Sequence, residues 1–548
     1  MGNRKIFIGA AWPYANGSLH LGHAAALLGS DVLARYFRLN GDSVLFVSGS
    51  DCHGTPIALQ AEKLGIKPEE IANKYHQEFS KTLIQGLNFS FDYYSETTKE
   101  SHQKLVQDIF LDLWKKKLIY TKTEELAYCD TCQRFLPDRY IEGECPHCHF
   151  GSARGDQCDN CGNLIDPKTL IKPQCQICHQ APVWKESEHF FLKISAFNDD
   201  LKQWVENSQG WRLNAKSFSL ELLKQGFRDR AISRDTDWGI PIPLPGYESK
   251  RIYVWFEAVC GYLSASQDWN SETWKDFWQN DSACHYYVHG KDNIPFHTII
   301  WPSILLGLGD LNLPNRIISS EYMTLEKKQF STSRNWMVSL PDFLSEFEAD
   351  LLRYYLIVNG PETSDADFSW SEFALRINKE LVGTFGNFVF RVLSFISKNF
   401  NTNLDFPEDL KEDEVEILKL ASETFSKVGQ SLEAGRFRQA LRDVFFLAEE
   451  GNRYLNNKAP WKVIKEDREQ AQRDLTLMAY IIKCLAVLIN PFLPQSSELL
   501  ADQVGLDFNQ FKWGAPLDKG LELGIIRPLF KTISEEEIKV QEKKLNRC

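Results

Sequence analysis

The chain has no apolar run long enough to cross a membrane. Its longest such stretch, MAYIIKCLAVLINPFL (478–493), is interrupted by Lys483 and falls short of the ~20 residues a span needs, so it reads as a buried helix. A secretory leader is also missing, because the apolar residues of MGNRKIFIGAAWPYANG are few and are broken by Pro13. Beyond its paired cysteines the sequence has no internal repeat, and it has no low-complexity tract. Nor is there a surplus of positive charge: 62 Lys and Arg stand against 74 Asp and Glu, for a formal charge of −12. That excludes an indiscriminate nucleic-acid coat and leaves room for a local basic groove. A GxxxxGKS/T loop is absent, so any nucleotide must be held by another device. What these absences leave, at 548 residues, 43% hydrophobic and 25% charged, is a soluble cytoplasmic protein of three or four domains.

Cysteine, by contrast, is plentiful, with 13 in the chain. Eight form four pairs between residues 129 and 178: Cys129/Cys132, Cys145/Cys148, Cys158/Cys161 and Cys175/Cys178. Two thiolates at this spacing on a tight turn point at one metal, and two such turns complete a tetrahedral zinc site. Disulfides do not suit a reducing compartment. A redox pair would account for CPHC (145–148) and leave its three neighbours unexplained. The four turns therefore predict two structural zinc ions. The shortest connection joins the inner turns, so Cys145, Cys148, Cys158 and Cys161 are expected to share one ion and Cys129, Cys132, Cys175 and Cys178 the other. His147, His149 and His179 are near enough to replace a thiolate, but eight thiolates already fill both sites. Filled sites hold structure rather than catalyse.

The order along the chain is α/β. KIFIGA (5–10) reads as a buried strand, residues 24–41 as an amphipathic helix ended by Gly41, and SVLFVSG (43–49) as a second strand. This unit implies a parallel sheet with ligands gathering at the carboxyl ends of its strands. Strand patterns return at RIYVWFEAV (251–259) and CHYYVHG (284–290), after a cysteine-bearing insertion. From about 375 to 535 long helical periods with few glycines predict a bundle.

Between the first strand and the first helix lies WPYANGSLHLGH (12–23). A strand-to-helix loop presents free backbone N–H groups to an anion. Gly22 allows close approach of a flat ligand, and His20 and His23 can donate to a phosphate. A His-x-x-His pair alone is more often a capping or packing detail.

These residues do not stand alone. HLGH after PYANG, then GSDCHGTP, YVWFEAVCGY and HGKDNIPFH, together with the cysteine turns, resemble the methionyl-tRNA synthetases, a family of class I aminoacyl-tRNA synthetases. The resemblance runs in order from residue 5 to about 530. It implies a Rossmann-like catalytic domain split by a zinc-binding connective insertion and followed by an α-helical anticodon-binding bundle. The implied divisions are 1–120 and 246–320 for the two catalytic halves and 121–245 for the insertion. A stem-contact region follows at 321–375, then the anticodon-binding domain at 376–530 and a tail at 531–548. The implied reaction joins L-methionine to ATP with Mg2+, giving methionyl-adenylate and pyrophosphate, and then transfers methionine to initiator and elongator tRNA(Met).

By the same resemblance His20, His23, Lys291 and Arg234 serve catalysis, and His20, Gly22, His23, Asp292, Lys328 and Thr332 bind ATP. Asp51 pairs with the substrate ammonium, while Trp12, Tyr14, Trp255, Ala258, Tyr262 and His297 line the methionine pocket. Aromatic edges suit a polarizable thioether. Asn387 and Arg391, one turn apart on one helix face, and Trp461 beside Pro460 contact the anticodon by hydrogen bonding and stacking. Two single positions and one motif depart from the family pattern. Trp12 stands where leucine is frequent and Asn293 where some members have isoleucine. The phosphate-binding KMSKS motif is replaced by Gln329, Phe330, Ser331, Thr332 and Ser333, with Lys327, Lys328 and Arg334 beside it to supply the missing charge. Two rival readings are a synthetase for another amino acid, disfavoured by the lack of a long editing insert, and a non-catalytic zinc-containing tRNA-binding paralogue. No dimerising β-barrel follows the tail, so a monomer without membrane contact is expected.

Overall fold

A computed structural model describes residues 3–155, 158, 160–161, 163, 165–330, 336–400, 403–517 and 520–545. Its centre is a five-stranded parallel sheet. Strand β1 (Lys5–Ala10) lies between β2 (Ser43–Ser50) and the strand Cys284–Gly290. Outside these lie β3 (Tyr93–Glu96), on β2, and Arg316–Ser320, on Cys284–Gly290. The register runs Ile8 to Phe46 on one side and Ile8 to Tyr286 on the other. The chain thus leaves β1 in one direction and returns on its other side, which opens a crevice at the strands' carboxyl ends. Trp12 and Tyr14 after β1, Asp51 after β2, and Lys291 after Cys284–Gly290 all fall there.

Helix α1 (Leu21–Leu39) covers one face of the sheet, and the helices Glu100–Lys115 and Val254–Trp269 cover the other. The second of these corrects the sequence reading. Only Lys250–Ile252 is a strand, and RIYVWFEAV turns helical at Val254. From Val254 to Ser266 this helix is buried on nearly every side, including Phe256, Glu257, Val259, Cys260 and Tyr262. It therefore carries no apolar stripe of period 3.6 for a sequence pattern to reveal.

The insertion rises on a long antiparallel ladder, Ile119–Cys129 with Val183–Leu192, and Cys129 ends its outward strand. The cysteine turns sit at the tip around a small core of their own. That core includes Leu136, Ile141 and Ala153, together with Leu59 from the helix Thr55–Leu64 beside the crevice.

The bundle is built from Asn387–Asn399, Glu412–Glu433, Phe437–Lys458, Arg468–Ile489 and Pro494–Gln503. Residues 478–489 lie inside Arg468–Ile489, as the sequence predicts, with the buried Lys483 ammonium donating to the Gly520 carbonyl. No helix among the described residues is long and apolar enough to cross a membrane. The bundle and α1 share one continuous core. At its centre the fully buried Arg353 donates to Asp31 of α1 at 2.7 Å and to the carbonyls of Phe492, Pro491 and Leu87.

Candidate active site

His20 and His23 form the N-terminus of α1, and their hydrogen bonds define their protons. The Gly22 backbone N–H donates to His20 Nδ1 at 3.1 Å, and the His20 backbone N–H donates to His23 Nδ1 at 3.1 Å. A backbone amide can only donate, so both Nδ1 atoms carry lone pairs and each neutral ring keeps its proton on Nε2. Burial, with His23 adding to it, takes His20 down to about 2, and burial takes His23 down to about 4. The pair is therefore cap and donor at once: two neutral imidazoles, each with its proton on Nε2. A Cβ on residue 22 would stand 3.0 Å from the His20 ring, so a larger residue would press on the cap.

The KMSKS-like segment reaches this pair from the other side. Leu21 N–H bonds to Val338 O and Leu340 N–H to Leu19 O, tying the far end of the loop to the start of α1. At its near end the hairpin Met323–Leu325 with Lys328–Gln329 turns through Glu326 and Lys327, both left-handed at φ 49° and 64°. Asp367 Oδ1 holds the Lys327 amide at 2.7 Å. Phe330 lies flat on His20, with ring centroids 4.6 Å apart and 7° between planes. Gln329, Lys327 and Lys328 are exposed, and the Lys328 ammonium lies 4.5 Å from the Trp336 ring. Thr332, with Ser331, Ser333 and Arg334, falls outside the described residues.

Lys291 is already engaged. Its ammonium meets Glu321 at 2.9 Å and Asp365 at 3.0 Å, and it sits 3.7 Å over Tyr322, whose hydroxyl donates to Asp292. Burial opposes the Lys291 charge, but the two carboxylates overcome it and raise its pKa.

A cleft of about 240 Å³ opens beside these groups, lined in part by Tyr14, His53, Arg234, Trp238, Tyr253 and Trp255. Arg234 packs its guanidinium 3.6 Å from the centre of Tyr253. The other residues predicted for the pocket lie outside the lining of this cleft. Asp51 is buried, and its backbone is stitched to the Pro13–Ala15 segment by hydrogen bonds of 2.9 and 2.8 Å. The His297 ring donates from Nδ1 to the Asn293 carbonyl at 2.8 Å, so its Nε2 accepts from Tyr262 Oη, also at 2.8 Å. Ala258 is half-buried on the same helix as Trp255 and Tyr262. Trp12 is wedged so tightly that a Cβ on Gly49 or Gly261 would come within 2.6 or 2.7 Å of its indole.

Three floor residues are not evident as site residues in the sequence. They are His53, Glu257, 2.7 Å from the His53 ring, and Trp238, which donates to the Cys52 carbonyl at 2.9 Å. Glu257 lies inside YVWFEAVCGY and His53 inside GSDCHGTP, but an acid within an apolar run carries no pattern that separates floor from surface.

The eight thiols fall into two sets, Cys129/Cys132/Cys175/Cys178 and Cys145/Cys148/Cys158/Cys161, and in each all four ligand atoms lie within 4.8 Å of one another. Backbone amides of Cys132, His147 and Asn160 each donate at 3.4 Å to the sulfur of a first cysteine. Amides at Asn163 and Gln180 bring Cys161 down to about 6 and Cys178 to about 7. This is a donor set suited to a soft, tetrahedral divalent ion.

On the bundle, Arg391 lies 5.3 Å over the Trp461 ring and donates to Asn456 at 2.9 Å and Asn452 at 3.5 Å. Asn387 is exposed one turn before Arg391.

Residues 6–393 match the profile of the tRNA synthetases class I (M), and residues 407–546 that of the anticodon binding domain of methionyl tRNA ligase. The chain belongs to this family. A methionine–tRNA ligase of Bacillus cereus (strain B4264) is 46% identical over 547 residues, covering 99% of both chains. That of Bacillus mycoides (strain KBAB4) is 45% identical over the same span and coverage. Among solved structures, Mycobacterium tuberculosis methionyl-tRNA synthetase bound by methionyl-adenylate superposes with a TM-score of 0.81 at 24% identity, covering 96% of this chain and 100% of that one. The fold is thus shared through catalytic sheet, insertion and bundle.

Proposed function

We propose that the chain activates L-methionine with ATP, releasing pyrophosphate, and transfers methionine from the adenylate to tRNA(Met), initiator and elongator alike. The observation that carries this is the pair of neutral, Nε2-protonated histidines at the N-terminus of α1, beside a buried carboxyl floor. In the activation step the methionine carboxylate attacks the α-phosphorus and pyrophosphate leaves. Negative charge grows on the phosphate oxygens, and donors already fixed in place stabilise it without reorganising. His20 and His23 are those donors, and the N-terminus of α1 adds its dipole. ATP enters as its magnesium complex, with Lys291, Asp292, Gly22 and the Lys328 hairpin placing the phosphates. Thr332 belongs to the same reading.

Asp51 takes the substrate ammonium. Tyr14, Trp255, Ala258, Tyr262 and His297 enclose the thioether, with Trp12 fixing the floor. Arg234, which lines the cleft, serves catalysis with His20, His23 and Lys291. Each four-thiol set fits Zn2+, which would fold the tip of the insertion and supply no chemistry to the reaction. Asn387, Arg391 and Trp461 meet the anticodon bases.

The test is methionine-dependent ATP–pyrophosphate exchange across a panel of amino acids. Exchange with methionine alone supports the reading, and exchange with another amino acid reassigns the pocket. No exchange from folded, zinc-loaded protein would favour a tRNA-binding paralogue that has lost activation along with the two motif lysines.

A further inference from the structure

Two carboxyl groups lie behind His53, which lines the cleft. Asp51 is 4% exposed and Glu257, between Trp255 and Ala258, is fully buried. His53 lies between them. Its backbone N–H points at Asp51 Oδ1 at 3.4 Å, and its Nδ1 sits 2.7 Å from Glu257 Oε1. The second Glu257 oxygen, Oε2, is buried and accepts no hydrogen bond. Among the described residues no lysine or arginine pairs with either carboxyl, and the basic group against Glu257 is the His53 ring, 2.7 Å away, which is charged only when protonated. A fully buried glutamate with an unpartnered oxygen is costly. Aligning His53 takes a single oxygen, which a neutral amide could provide. The second oxygen therefore needs its own account, and neither buried acid has a lysine or arginine beside it.

We propose that Glu257 is a positioning residue for the substrate's ammonium group: it aligns His53 and, with Asp51, makes the floor a two-carboxyl site that one cation completes. The inference rests on the methionine reading above.

Its consequence concerns a proton. Burial, reinforced by the Glu257 charge, holds the Asp51 carboxyl well above the usual range, against a weak pull from the His53 amide. The surrounding groups offer no relief. The Cys52 thiol is pushed well up by burial and by Glu96, Cys260 is pushed up by burial, and His102 is held neutral, at about 3, by burial. Asp51 is thus the group placed to carry a proton in the empty protein, and an arriving ammonium would displace that proton to solvent. Methionine binding should therefore tighten as pH rises towards the Asp51 pKa of the empty protein.

The experiment is calorimetric titration of the full chain with methionine over about pH 6–8, in pairs of buffers of different ionisation heat, so that protons released are counted. Wild-type protein is expected to release up to about one proton per methionine. Glu257→Gln should bind about tenfold more weakly at the upper pH, and its pH dependence should flatten because Asp51 ionises more easily without its neighbour. Glu257→Asp, which keeps the charge, should keep the slope. Methionine binding without proton release, or a Glu257→Gln slope equal to wild type, overturns the role given to Glu257. If Glu257→Gln does not fold, the wild-type proton count decides. Folded protein that binds no methionine overturns the functional reading, and this inference with it.

Discussion

His20 and His23 show how much a single hydrogen atom decides. Because a backbone amide occupies each Nδ1, the donor at each Nε2 is present without any need for protonation. With His20 near 2 and His23 near 4, neither ring changes charge near neutrality. At saturating methionine the exchange turnover should therefore show no histidine titration between about pH 6 and 8. An acid limb in that range that disappears in His23→Asn would contradict the assignment. His20→Ala should lower the turnover by about 10²–10³, the usual effect of losing one fixed donor to a charged transition state. Gly22→Ala tests the cap without touching a donor. Its Cβ would crowd the His20 ring at 3.0 Å, so turnover should fall although both imidazoles remain. The HLGH spacing was readable in the sequence. The tautomers were not, since they depend on which amide each ring meets.

Helix α1 carries this pair at one end and, in its second half, Asp31, the partner of Arg353. Burial would raise the Asp31 pKa, but Arg35 and Arg353 bring it to about 2. A folded value below the unfolded one adds stability at pH above the unfolded value, and that stability fades as pH falls towards 2. Arg353→Met, which takes one of two arginines from the buried Asp31 and the donor from the Phe492, Pro491 and Leu87 carbonyls, should cost about 3–5 kcal/mol in denaturant unfolding near neutral pH, and less at acid pH where Asp31 is protonated. The knuckles make a second test at this scale. Their core includes Leu59, whose helix begins just after the floor residue His53. Metal analysis should find two zinc ions per chain. Chelation should remove amide protection across 129–178 and lower activation, while the central sheet stays folded. Retained protection there after metal removal would refute a structural ion.

At the scale of the whole molecule, the parallel sheet, the insertion and the bundle were legible because each rests on a local period or a repeated spacing. The features with no local signal depend on long-range partners. Arg353 meets Asp31 across 322 residues of sequence. Glu257 reaches His53 across 204, from a helix whose burial hides its period. The same distance in sequence separates two functions that one fold joins. Arg391 and Trp461 lie on the bundle, away from the sheet's crevice, and share no side-chain contact with its floor among the described residues. Removing the indole should therefore act on tRNA alone. A stacked base is worth about 1–3 kcal/mol, so Trp461→Ala should reduce kcat/KM for tRNA about ten- to hundredfold while leaving methionine-dependent pyrophosphate exchange unchanged. Parallel losses in both assays would mean that the substitution perturbs α1 through the shared core. Equal aminoacylation by mutant and wild type would remove Trp461 from the anticodon surface.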